Sequence, residues 1–201
     1  LFDRTLVLTR GDGFIIRAYS PPRSIAGGPV LAPTPPRMAL RIESAFERCR
    51  RLDFDSVVDS LQARLRAAAV MVDEAGESAL PVSVLTSRVG IARQALTTHI
   101  DALTRDGTAA LVGDVLVSGA VVDGLKAKIL DALAQHHRAQ PMSEGLAREE
   151  VRVRLFRHGH PSVFDYTLEH LVAAGLVNGR DRLALATHHV ELTSEAARAR
   201  E

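Results

Sequence analysis

The chain has a single cysteine among its 201 residues, Cys49, which excludes a framework of internal disulfides. No apolar run approaches the roughly 20 residues that span a bilayer, and no charged segment followed by an apolar one opens the sequence. The pattern Gly-x-x-x-x-Gly-Lys-Ser/Thr is missing, and with it the backbone cradle a GTPase uses to hold nucleotide phosphates. Neither a Gly-x-Ser-x-Gly elbow nor a His-Glu-x-x-His pair occurs. A cytoplasmic setting, no membrane partner, no cofactor and no catalytic residue in the chain are the resulting expectations.

With 46% apolar and 24% charged residues, the composition is that of an ordinary globular chain, long enough for one domain or two to three small modules. Net charge is +1 but unevenly placed. Residues 1–52 hold nine arginines and no lysine against Asp3, Asp12, Glu43 and Glu47, an excess of five positive charges, so the remainder carries −4. Phosphate binding is dominated by neutralising charge, so a polyanion is expected to meet this basic arm.

Within the arm, Phe14, Ile16 and Ala18 alternate with Ile15, Arg17 and Tyr19, the period of a strand with two different faces. Gly27-Gly28 is read as a bend before Val30-Leu31, and prolines close the segment by residue 36. A lone hairpin is marginal in water. This one is expected to be the end of a larger antiparallel barrel that begins upstream of Leu1.

The rest of the chain contains a repeat. Under a shift of 68 residues, Leu96, Ile100, Leu103, Gly107 and Ala109 fall on Phe164, Leu168, Leu171, Gly175 and Val177, and Leu61 and Leu65 fall on Ile129 and Leu133. Each copy predicts a long helix (about 55–74 and 120–138), a shorter one (about 81–89 and 147–157), a third (about 91–106 and 162–174) and an apolar hairpin. That order is a winged helix, twice. Gly107 ends the third helix of copy one as a left-handed cap, Ser162 is the expected N-cap in copy two, and linkers are expected at 32–37 and near 118–120.

Two parts of the sequence carry a family resemblance. Gly11-Asp12-Gly13-Phe14, Ser20-Pro21, Ser24-Ile25-Ala26-Gly27-Gly28 and Val30-Leu31-Ala32-Pro33 resemble the end of the third, elongation-factor-Tu-like barrel of the bacterial selenocysteine-specific elongation factors. The second copy, with His136-His137, Pro141, Gly145, Arg148-Glu149-Glu150-Val151-Arg152, Phe164, Leu171, Gly175 and His188, resembles their second winged-helix module, and Leu192-Thr193-Ser194-Glu195 the entry to a third. Gly13 and Ala32 depart from the family pattern, which has Arg and Asp there.

The resemblance implies a mainly α fold with small β elements: tandem winged helices preceded by the terminal strands of a β-barrel. It divides the chain into barrel strands (1–36), a connector helix (37–53), winged helix one (54–119), winged helix two (120–192) and the start of a following module or a tail (193–201). It also implies a segment of a factor that delivers selenocysteinyl-tRNA to the ribosome at UGA codons. GTP and Mg would then belong to the parent protein, and the selenoprotein mRNA hairpin would be gripped by modules outside this chain. Because the third barrel of such factors faces tRNA, Arg17, Arg23, Arg37 and Arg41 are the expected nucleic-acid contacts.

The alternative is a DNA-binding winged-helix transcriptional regulator. Third helices of winged modules often enter a groove. Copy one presents Arg93, Gln94, Thr97, Thr98, Asp101 and Arg105 there, whereas copy two presents Asp165 and Glu169, which repel phosphates and make it a spacer. Six of the eight histidines come in close pairs, 136/137, 158/160 and 188/189, but adjacent histidines rarely converge on one ion and no cysteine supports them, so no metal is expected.

Overall fold

A computed structural model describes residues 6–33, 42–52 and 61–188 of the chain. Strands β1 (Gly13–Ala18) and β2 (Arg23–Pro29) pair antiparallel, from Gly13 opposite Pro29 to Ala18 opposite Arg23. The reversal lies at Tyr19-Ser20-Pro21-Pro22, not at Gly27-Gly28, which sit inside β2 opposite Ile15 and Phe14. The glycines make room across the pair: a Cβ on Gly27 would lie 2.9 Å from the Phe14 carbonyl oxygen. Phe14, Ile15, Ile16, Tyr19 and Ile25 are all exposed, so both faces of the hairpin carry uncovered apolar side chains.

Helix α1 (Ile42–Leu52) has Glu43 in its first turn and Arg50 and Arg51 in its last, the arrangement that suits the helix dipole. Leu52, fully buried, packs with Ala67 and Val70 and with partly buried Leu31 and Ala32. The buried Arg10 guanidinium donates to the carbonyl oxygens of Leu31 and Leu52, fastening the base of the hairpin to the end of α1.

The helical region repeats one order of elements. The first series is α2 (Leu61–Ala75), β3 (Leu80–Pro81), α3 (Val82–Val89), α4 (Arg93–Arg105), β4 (Ala109–Val112) and β5 (Val115–Ser118). The second is α5 (Gly119–Ala139), β6 (Leu146–Ala147), α6 (Arg148–Phe156), α7 (Pro161–Ala173), β7 (Val177–Asn178) and β8 (Arg182–Leu185). The sheets run β3-β5-β4 and β6-β8-β7, each the small sheet of a winged helix.

The repeat has two offsets rather than one. The 68-residue shift holds from α4 onward, where Leu96 and Ile100, like Phe164 and Leu168, are buried. Upstream the shift is 66. Leu61 is exposed and Leu65 only partly buried, and the core positions of α2 are Ala63 and Ala67, which match buried Ile129 and Leu133. At the same offset Met71 matches His137, Leu80 matches Leu146, and Leu85 matches Val151, every one of them buried. The two extra residues enter between the second and third helices of copy two, where α6 is one residue longer and the turn to α7 spans 157–160 instead of 90–92.

Contacts divide the chain into two compact units, residues 1–75, 80–106 and 114–116, and residues 76–79, 107–113 and 117–201. The second takes in the 76–79 turn and β4. There β4 packs on α5 and α7, Lys128 pairs with Glu77 at 3.0 Å, and the His160 N–H donates to the Glu77 carbonyl oxygen at 2.8 Å. No linker separates β5 from α5: Ser118 is the N-cap of α5, and the Gly119 N–H donates to the Thr108 carbonyl oxygen at 2.8 Å. His160, not Ser162, is the N-cap of α7, with Pro161 in the first turn.

Gly119 is fixed by this crossing. A Cβ there would lie 2.1 Å from the Gly107 carbonyl oxygen, a backbone atom with little freedom to yield. Gly119→Ala should therefore destabilise the second unit by roughly 1–3 kcal/mol, the usual cost of forcing atoms into a filled site. A lowered urea midpoint would register it; an unchanged one would mean that the crossing relaxes freely.

Candidate nucleic-acid interface

Of the four expected contacts, Arg17 and Arg23 lie on the hairpin and are exposed, while Arg37 and Arg41 lie outside the described residues. Arg17 is opposite Ser24 and Arg23 opposite Ala18, two neighbouring cross-strand pairs. Side chains of successive pairs point to opposite faces, so the hairpin end carries one guanidinium on each side. Among the described residues neither forms an ion pair.

The rest of the basic arm is less free than its sequence suggests. Arg10 is buried in its two carbonyl bonds. Arg48 meets Glu74 of α2 at 2.9 Å, and Arg51 approaches Asp73 of the same helix at 3.9 Å. These acids lie outside the first 52 residues, which is why counting charge along that window overstates what a polyanion meets. A cavity of about 110 Å³ beside Arg48, Glu74 and Arg88 is the residue of this packing; it is well short of the about 300 Å³ at which small-molecule sites begin.

On α4, Arg93, Gln94, Thr97, Thr98, Asp101 and Arg105 are all exposed, so the expected stripe does face solvent. The Thr97 and Thr98 hydroxyls, however, donate to the Arg93 and Gln94 carbonyl oxygens one turn back. Their protons are spent within the helix, leaving the two arginines as the stripe's cationic donors.

Asp165 on α7 does not stand alone: the Arg148 guanidinium of α6 binds it at 2.7 Å. Arg152 pairs with Glu149 one turn away, and that hydrogen bond holds the Glu149 carboxyl below its ordinary value. Thus Asp165 does not act as an open repelling charge, and Glu169 is the exposed acid of the stripe, beside a Tyr166–His170 ring contact of 4.3 Å. Reading α7 by itself missed the neighbouring helix that supplies the counter-charges; the run Arg148-Glu149-Glu150-Val151-Arg152 was the signal. Arg154, Arg157 and Arg180 are exposed and form no ion pair among the described residues.

Besides His170, four histidines make specific contacts among the described residues, none of them of the metal type. His136 Nε2 bonds the Ser143 hydroxyl at 2.7 Å, a nucleophile–base distance. Ser143 Oγ also takes the Gly145 N–H at 3.2 Å, and no carboxylate bonds the His136 ring among the described residues, so the pair locks a turn and lacks the third group of a catalytic set. His137 and His188 stack face to face with centroids 3.6 Å apart. His160 Nδ1 bonds the Ser162 hydroxyl at 2.7 Å across the start of α7. No cluster able to hold a metal ion occurs among the described residues, and no helix there is long and apolar enough to cross a membrane.

A family model described as elongation factor SelB, winged helix, matches residues 130–183, most of the second module. The selenocysteine-specific elongation factor of Desulfomicrobium baculatum is 29% identical over 207 aligned positions, which take in 96% of this chain and 30% of that protein. The chain therefore spans about a third of the length of that relative. The mRNA-binding domain of E. coli elongation factor SelB, solved in complex with SECIS RNA, superimposes with a TM-score of 0.43 at 14% identity, over 61% of this chain and 96% of that one. The matched module is a winged helix and not a catalytic domain.

Proposed function

We propose that the chain belongs to the SelB family of selenocysteine-specific elongation factors and forms the interior stretch joining a tRNA-side barrel to RNA-gripping modules. The observation that carries this is the alignment, which takes in hairpin, connector and both winged helices in one continuous match to a protein about three times as long. In this reading residues 1–36 are the last strands of the barrel, 37–53 the connector, 54–119 and 120–192 the winged modules, and 193–201 the entry to a further module. The uncovered apolar side chains on both faces of the hairpin support the first assignment, because barrel neighbours would bury them.

The parent protein would use GTP and Mg in a domain outside this chain, act in the cytoplasm on the ribosome, and read a selenoprotein mRNA hairpin through later modules. Arg17, Arg23, Arg37 and Arg41 would hold tRNA phosphates. The exposed Glu169 of α7 suits a spacer better than a reader of DNA, which disfavours the regulator.

A chimera tests the reading. In the Desulfomicrobium baculatum factor the aligned stretch is exchanged for this chain, and selenocysteine insertion at UGA is measured beside binding of GTP and selenocysteinyl-tRNA. Insertion should persist. Loss of insertion with both bindings intact would overturn the spacer assignment. The chain alone should bind no GTP in equilibrium dialysis, and saturable submicromolar binding would contradict the placement of the nucleotide site elsewhere.

A further inference from the structure

Where the first module has Met71, the second has a histidine in the same core position. His137 is only 8% exposed, and its Nε2 accepts the Leu185 N–H at 3.3 Å. An imidazole nitrogen that accepts carries no proton, so the ring is neutral and a second proton could enter only at the atom that holds the Leu185 amide. Protonation and the bond exclude each other. Nδ1, left with the ring's one proton, is buried without a partner among the described residues, so the arrangement has little to spare.

Among the described residues no carboxylate bonds these rings to steady a charge. His188, just past β8, stacks on His137, and its Nε2 donates to the Ser143 carbonyl oxygen at 3.1 Å. His136 meets His137 edge-on at 5.7 Å and bonds the Ser143 hydroxyl. From β8, Arg182 donates to the Gly145 carbonyl oxygen at 3.1 Å, another cation on the same turn; that turn's only carboxylate, Glu144, is exposed. The buried residues of α6 and α7 are apolar but for Thr167.

We propose that His136, His137 and His188 form a proton-sensitive clasp, which holds the chain leaving β8 against the end of α5 and the 143–145 turn, and lets it go when His137 takes a second proton. Burial, then His188, then His136 lower the proton affinity of His137 in the closed state. The closed form is therefore fully favoured above the ordinary histidine value of about 6.5 and loses ground as pH falls below it. A released histidine with that value is about ten parts protonated to one neutral at pH 5.5. Release should gain up to about tenfold there relative to pH 7.5.

The test is amide hydrogen exchange of the whole chain by NMR, corrected for the intrinsic pH dependence. Protection of Leu185 should fall by up to about tenfold between pH 7.5 and 5.5, while that of Leu168, in the same module, should not change with it. His137→Met restores the residue of the first module; it should leave Leu185 less protected and insensitive to pH. The proposal is overturned if Leu185 and Leu168 respond alike in the unmodified chain, or if His137→Met keeps the response. Should that variant fail to fold, ring titration of His137 in the unmodified chain decides, since a midpoint at or above 6.5 overturns the clasp.

Discussion

Replacing Leu171 by alanine should lower the stability of the second unit by about 2–5 kcal/mol, the range for emptying a buried leucine site. Leu171 is 2% exposed on the inner face of α7, and its carbonyl oxygen accepts the Leu176 N–H at 3.0 Å where the helix closes. Leu103 holds the same place in the repeat but is only partly buried. Its removal strips fewer contacts and leaves a hollow that water can reach, so Leu103→Ala should cost less than half as much. Because the chain has two units, the melts must be followed by residue-resolved signals from each and not by a single two-state curve. Equal losses for both substitutions would show that the third helices are buried alike.

That contrast marks what the sequence could and could not reveal. The third helices were legible because Leu96 and Ile100, with Phe164 and Leu168, recur one turn apart, and Gly107 and Gly175 end them with φ of 78° and 66°. The first helices were misaligned. Leucines at 61 and 65 drew the register, yet α2 packs through alanines, and a small residue facing the core leaves a weaker pattern than an exposed leucine. The same error of two residues hid His137, whose match to Met71 appears only at the 66-residue offset. In the hairpin, the paired glycines looked like a bend; they serve instead to let strands approach, while the proline pair makes the turn. Charge was the least legible property, because Glu74, Asp73 and Arg148 come from other elements to cancel Arg48, Arg51 and Asp165.

The exposed hairpin arginines, together with Arg37 and Arg41 outside the described residues, give the second large effect. If the proposed function holds, then in the longer protein it implies Arg17→Ala, Arg23→Ala, Arg37→Ala and Arg41→Ala should each weaken selenocysteinyl-tRNA binding and flatten its dependence on salt by about one charge, as expected for phosphate contacts that read no base. Since Arg17 and Arg23 occupy neighbouring pairs on opposite faces of the hairpin, they cannot share one phosphate. Their losses should add, and the double variant should flatten the salt dependence by about two charges. Titrations at several salt concentrations would measure this, with Arg93→Ala and Arg105→Ala on α4 as the comparison. If the α4 variants lose affinity while the hairpin variants keep it, the first winged helix and not the hairpin carries the tRNA. If the Arg17 and Arg23 double variant loses no more than either single one, the two side chains reach a common phosphate, and the hairpin must be twisted further at its end than its strand pairing describes.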